Sequence, residues 1–113
     1  MDSETLLEVM VEACDNKRAE DIMTFDVRET SSVTDYYIIC HGNSDRQVQA
    51  IADEIKEQAK EHNIEPLVEG YREAKWILCD LNNVIVHVFH RPEREYYNLE
   101  RLFKNGEHVD GRF

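Results

Sequence analysis

The sequence has few of the residues that mark several common protein classes. Its 113 residues include only 3 cysteines, 2 prolines and 4 glycines. Cys14, Cys40 and Cys79 are odd in number, widely spaced and set within apolar patterns, which indicates buried reduced thiols and no disulfide framework. The Cys and His spacing of a zinc site does not occur. No apolar run approaches the ~20 residues that cross a bilayer, so we expect no membrane association.

Basic charge is also scarce, because 24 acidic residues face 13 basic ones and the net charge is −11. Such a surface repels phosphates, which argues against direct, sequence-specific binding of nucleic acid. It favours a basic protein partner, although acidity can also serve solubility alone. The N-terminal MDSETLLEV is acidic and lacks the basic start of a signal peptide. The expected location is therefore cytoplasmic.

Apolar periodicity predicts one domain of the α/β (α+β) class, in the order α-β-β-α-β-β-β-α. The predicted helices are one that Ser3 caps, one from a Ser44/Gln47 capping box to about His62, and one beginning near Pro92. The last helix should pack through its apolar residues, Tyr96, Leu99, Leu102 and Phe103. Strands are expected at 21–27, 35–41 and 66–70, with the second central. They form a mixed β-sheet of about five strands flanked by helices. Residues 1–103 form the domain and 104–113 a flexible tail.

Residues 76–89, WILCDLNNVIVHVF, predict the remaining two strands as a hairpin with a two-residue turn at Asn82-Asn83. One face of this hairpin is wholly apolar and should face the core: Ile77, Cys79, Leu81, Val84, Val86 and Val88. The other face mixes aromatic and polar groups: Trp76, Leu78, Asp80, Ile85, His87 and Phe89. An aromatic face with a few polar groups is typical of a docking surface, but a helix that covers this face is an equally good interpretation.

Motifs that carry catalysis or bind cofactors do not occur. There is no G-x-S-x-G, no phosphate-binding G-x-x-x-x-G-K-[ST] and no D-x-D pair. The turn at 42–45, Gly-Asn-Ser-Asp, could hold an anion, but Asp45 repels phosphate and capping alone explains Ser44. His41, His87 and His90 are best interpreted as structural. We therefore expect no enzyme, no catalytic residues, no cofactor and no metal.

Two blocks resemble a known family. TDYYIICHGNSDRQVQAIADEI (34–55) and EGYREAKWILCDLNNVIVHVFHRPEREYYNLERLF (69–103) are similar to the ribosomal silencing factors, also called Iojap proteins. The resemblance covers nearly all of residues 4–103. It implies a nucleotidyltransferase-like topology without the catalytic acids. The sequence departs from many relatives at the hairpin turn, Asn82-Asn83, and at Phe103, where many have tryptophan.

The resemblance also implies a function. The protein would bind the large ribosomal subunit through its fourteenth-series protein, block association with the small subunit and repress translation under nutrient limitation. The contact residues would be Trp76, Leu78 and Asp80, which lie on the hairpin face described above. If these residues do not form the contact, the last helix around Arg94 and Tyr97 is the next candidate for the contact surface. The alternatives are a degenerate or active nucleotidyltransferase-like nucleotide-binding protein and a scaffold that pairs with itself. A homodimer of the free protein is compatible with either binding role.

Overall fold

The computed structural model describes residues 1–104. The predicted tail therefore lies outside the described residues, apart from Lys104. The elements in chain order are α1 (Ser3–Asn16), β1 (Glu20–Asp26), β2 (Tyr36–Gly42), α2 (Asp45–Glu61), β3 (Leu67–Glu69), β4 (Trp76–Asp80), β5 (Val84–His90), α3 (Arg91–Tyr97) and α4 (Glu100–Lys104). None of the helices in this part of the chain combines the length and apolar character that crossing a bilayer requires.

The five strands form one mixed sheet in the order β1-β2-β5-β4-β3. Strand β2 runs parallel to β5, and the other neighbours are antiparallel. Helix α2 carries the chain from β2 across the sheet to β3 at the far edge. The expected mixed sheet with flanking helices is confirmed. Strand β2 is buried throughout, as predicted for an interior strand, although the middle position belongs to β5.

Helices α1 and α2 cover one face of the sheet and form the main core with it. The apolar stripe of α2 is fully buried: Val48, Ile51, Ala52, Ile55 and Ala59. The apolar hairpin face also lies in this core: Ile77, Cys79, Leu81, Val84, Val86 and Val88. The three cysteines are buried and free, as expected. The Sγ atoms of Cys14 and Cys40 lie 3.9 Å apart.

Two helix starts differ in detail from the prediction. Asp2, not Ser3, caps α1, because its carboxylate accepts a hydrogen bond of 2.8 Å from the Thr5 amide. Ser44 caps α2 through the Gln47 amide. The Gln47 side chain accepts from the Asn43 amide, however, and so reaches one residue further back than a capping box requires.

The predicted last helix is two short helices, α3 and α4. The chain turns at Asn98, whose φ of 49° lies in the left-handed region that asparagine adopts more readily than most residues. This break rotates the two apolar patterns relative to each other. Leu99 is buried and Leu102 and Phe103 are partly buried against the second face of the sheet, but Tyr96 is 82% exposed. The prediction that Tyr96 packs inward is wrong.

The hairpin has the predicted register, with Trp76 opposite Phe89, Leu78 opposite His87 and Asp80 opposite Ile85. Asn82 has a φ of 75°, as a tight turn demands. The amide of Asn82 donates to the Asp80 carboxylate over 2.8 Å, so Asp80 also stabilises the turn.

Candidate functional site

Helices α3 and α4 cover only part of the second face of the sheet. The three predicted site residues on β5, namely Ile85, His87 and Phe89, are buried within residues 1–104. For this strand the simpler interpretation, that a helix covers the face, is therefore correct. The three predicted site residues on β4, namely Trp76, Leu78 and Asp80, are only half-buried. The structure thus divides the predicted surface between a buried strand and an accessible one.

Strand β3 extends the accessible part of this face. Leu67 pairs with Asp80 and Glu69 pairs with Leu78, and directly opposed residues share a face. Leu67 is 68% exposed and adds an apolar side chain to this area. Tyr97 of α3 borders the same area and is 47% exposed. We call this area the β3–β4 face; its residues are Leu67, Glu69, Trp76, Leu78, Asp80 and Tyr97.

Trp76 is the best-fixed side chain of the β3–β4 face. Its ring lies 5.1 Å from that of Phe89 and 4.8 Å from that of Tyr97, measured between centroids. Its indole Nε1 donates to Nδ1 of His87 over 3.0 Å. Because the N–H is used inside the fold, a partner would meet the ring surface of Trp76. A ring held in this way loses little conformational entropy on binding.

His87 supports Trp76 from beneath. Burial lowers the pKa of His87 to about 3, so the imidazole is neutral at physiological pH. Since Nδ1 accepts from Trp76, the proton of the neutral ring lies on Nε2. His87 therefore acts as a positioning residue, and its predicted structural role agrees with this environment.

Arg94 fixes α3 to the sheet. It is 4% exposed, and its guanidinium donates to the carbonyl of Asp21 over 2.8 Å, to Nδ1 of His41 over 2.9 Å and to the carboxylate of Glu100 over 3.2 Å. The alternative site around Arg94 and Tyr97 is therefore wrong for Arg94, which is buried. It remains open for Tyr97.

The charge of the β3–β4 face is negative. Glu69 and Asp80 are its only ionisable residues that carry charge at neutral pH, and neither forms an ion pair within residues 1–104. Carboxylates without an ion-pair partner, on the same face as an aromatic ring and two leucines, can pair with lysine or arginine of a partner. The arrangement fits a binding surface for a basic protein.

The turn after β2, considered above as an anion site, is filled by the protein itself. The Gln47 side chain accepts from the Asn43 amide and donates to the carbonyl of Arg18. It also lies so close to Gly42 that a Cβ added to that glycine would be 3.1 Å from the Gln47 side chain. Asp45 follows with a carboxylate that would repel phosphate. In the described part of the chain, no three His, Cys, Asp or Glu side chains are grouped as a metal site would need.

The sequence prediction missed Leu67 and Glu69, and it named Tyr97 only as part of the next candidate, the last helix. The alternation in β3 places Val68 inward and its two neighbours outward, but only the pairing with β4 brings them beside Leu78 and Asp80. The position of Tyr97 beside Trp76 was not foreseen, because the break at Asn98 could not be located from periodicity. The break leaves Tyr97 beside Trp76 and turns Tyr96 into solvent.

Comparison with known proteins gives consistent results. The family described as "Ribosomal silencing factor during starvation" matches residues 1–112. A ribosomal silencing factor of Bacillus subtilis is 53% identical over 97% of this chain and 94% of its own length, and one of Haemophilus influenzae is 44% identical over 87% and 97%. A maize chloroplast Iojap protein is 26% identical over 89% of this chain and 44% of its own. A crystal structure from Chromobacterium violaceum, 27% identical, superposes with a TM-score of 0.90 and covers 100% of this chain and 95% of that one.

Proposed function

Because this chain belongs to the ribosomal silencing factor family, we propose that it binds the large ribosomal subunit through the fourteenth protein of the large-subunit series. Bound there, it blocks association with the small subunit and represses translation when nutrients are limiting. The β3–β4 face is the contact surface. The observation that carries this proposal is that the fixed, half-buried Trp76 shares one face of the sheet with the carboxylates of Glu69 and Asp80, which form no ion pair within residues 1–104.

The chemistry of the face decides what kind of molecule it contacts. Ribosomal RNA would be repelled by these acids and by the net charge of −11. A basic ribosomal protein exposed among the RNA offers the opposite charge. The rigid indole supplies apolar contact area, and Leu78 and Leu67 add further apolar surface along the same face. The protein acts by binding and steric exclusion, with no catalytic step and no cofactor.

The first test is sedimentation of the purified protein with separated ribosomal subunits. We expect co-sedimentation with large subunits, none with small subunits, and reduced formation of joined ribosomes when both are present. Equal binding to both subunits, or to neither, overturns the proposal.

The second test places the contact on the β3–β4 face. Glu69→Lys reverses one exposed charge on that face, and Glu57→Lys makes the identical change on α2, on the opposite side of the sheet. Only the first should weaken large-subunit binding, and the loss should be greatest at low salt. Equal effects would show that net charge, and not this face, governs binding.

The aromatic anchor is tested by Trp76→Ala, which should weaken binding by ~2 kcal/mol or more, roughly 30-fold. Because Trp76 also packs within the fold, Leu67→Ala provides a second variant at an exposed position. It should weaken binding without affecting stability. Asp80→Asn keeps the acceptor for the turn and removes only the charge. If all three bind like the wild type while folded, the contact surface lies elsewhere.

A further inference from the structure

A second surface lies on the other side of the molecule, between α1 and the edge strand β1. It is a shallow groove of about 480 Å³. Its apolar floor consists of Leu7, Val11 and Ile22, each only half-buried. Its rim along α1 is acidic and consists of Glu8, Glu12 and Asp15, all exposed.

The acids of the rim lack an ion-pair partner in the part of the chain that the structure describes. None of the three forms an ion pair within the described residues, although the neighbouring Glu4 does so with Arg28 at 3.8 Å. Because their spacing of four and three residues aligns them on one side of α1, the rim presents a continuous negative edge beside an apolar floor.

We propose that this groove docks a basic amphipathic helix of a second protein. Leucine-like side chains of that helix would cover Leu7, Val11 and Ile22, and its lysines or arginines would pair with Glu8, Glu12 and Asp15. The negative rim decides against other occupants. Nucleic acid and anionic lipid are repelled by it, and a second copy of this chain carries the same net charge of −11.

The shape of the groove favours a helix over an added strand. Strand β1 is interrupted by a register shift between Glu20 and Met23, and Asp21 within it has a φ of 49°. Irregularities of this kind protect an edge strand from pairing with another chain. The floor runs along α1 from Leu7 to Val11, about one turn at 1.5 Å per residue, so aliphatic residues four apart on a parallel helix can match it.

The groove and the β3–β4 face can be occupied together. The groove lies with α1, whose residues pack on the first face of the sheet, at the β1 edge. The β3–β4 face lies on the second face, near the β3 edge. The protein could therefore join a second protein to its ribosomal partner, and the proposal goes beyond the silencing function.

The test uses a synthetic helix of ~15 residues, with leucines at i, i+4 and i+7 flanked by lysines, and a scrambled peptide of the same composition. Binding is measured by fluorescence anisotropy, and its location by changes in the amide NMR shifts of the full chain. We expect the patterned peptide to shift amides of α1 and β1, and the scrambled peptide to bind much more weakly. Equal binding of both peptides, shifts confined to other elements, or no binding at millimolar peptide overturns the proposal.

Matched variants separate the groove from general acidity. Glu8→Gln with Glu12→Gln should weaken peptide binding roughly threefold to tenfold, whereas Glu57→Gln with Glu61→Gln, at the same spacing on α2, should not. Val11→Lys should abolish binding, and all these variants should co-sediment with large subunits like the wild type. Equal losses from the two glutamine pairs contradict the proposal. A dimer that Val11→Lys disrupts would assign the groove to self-association instead.

Discussion

Replacing Arg94 by methionine should destabilise the fold strongly, although only one guanidinium is lost. Methionine keeps most of the apolar stem and removes every donor. The carbonyl of Asp21 and the carboxylate of Glu100 then lose their hydrogen bonds. The side chain of Glu100 is only 18% exposed, so water replaces the lost partner poorly.

The expected magnitude follows from these contacts. A buried group left without its hydrogen bond costs ~1–3 kcal/mol, and breaking a buried ion pair costs ~3–5 kcal/mol. Because Asp21 is exposed and can be rehydrated, we expect about 3 kcal/mol of unfolding free energy. For a domain of this size that corresponds to a fall of roughly 15 °C in Tm.

The assay is urea unfolding followed by circular dichroism and by Trp76 fluorescence. Arg91→Met is the matched control, since Arg91 forms an exposed pair with Glu95 and should lose no more than ~0.5 kcal/mol. Arg94→Lys should fall between the two, because it keeps a charge but not the fork of donors. If Arg94→Met and Arg91→Met differ by less than ~1 kcal/mol, the role assigned to Arg94 is wrong.

Three further outcomes are expected. Burial lowers the pKa of His87 to about 3, so the unfolded chain takes up this proton at a higher pH than the folded protein does. Stability should therefore fall as the pH drops from 6.5 towards 3. In His87→Gln, whose side chain does not titrate, the urea midpoint should depend less on pH between 6.5 and 5. Burial raises the pKa of Cys79 to about 12, and a hydrogen bond with Cys40 and burial raise that of Cys14, so a thiol reagent should label neither residue until the protein unfolds. Calorimetry with ATP or CTP and magnesium should show no micromolar binding, because Gln47 fills the turn after β2.

The sheet and its main helices could be predicted because short-range patterns determine them. Alternation in 76–89 and a turn that needs a positive φ specify the hairpin register without tertiary information. The buried stripe of α2 follows from its period. The order of the strands could not be predicted from short-range patterns, because a crossover helix can return the chain to either edge of the sheet. Only the pairing of β2 with β5, together with that of β3 with β4, determines where β3 lies.

The candidate site could be predicted only in part, for a related reason. Alternation correctly placed Trp76, Leu78 and Asp80 on one face with Ile85, His87 and Phe89, but the face of a sheet is exposed only where nothing packs on it. The length of α3 decides how much of this face is covered. Helix α3 is ended by Asn98, a left-handed residue whose position periodicity does not reveal. The same break buries Leu99 and leaves Tyr97 beside Trp76.

The buried half of the hairpin face therefore supports the accessible half. Phe89 lies in ring contact with Trp76, His87 accepts its N–H, and Tyr97 packs against both Trp76 and Phe89. Tyr97 in turn depends on Arg94, which attaches α3 to β1 and β2. Loss of Arg94 should thus weaken partner binding through the position of α3, even at temperatures where the variant stays folded. Since a preorganised anchor lowers the entropy cost of association, this contribution should appear as weaker binding by Arg94→Lys at matched folding, with Arg91→Lys unchanged.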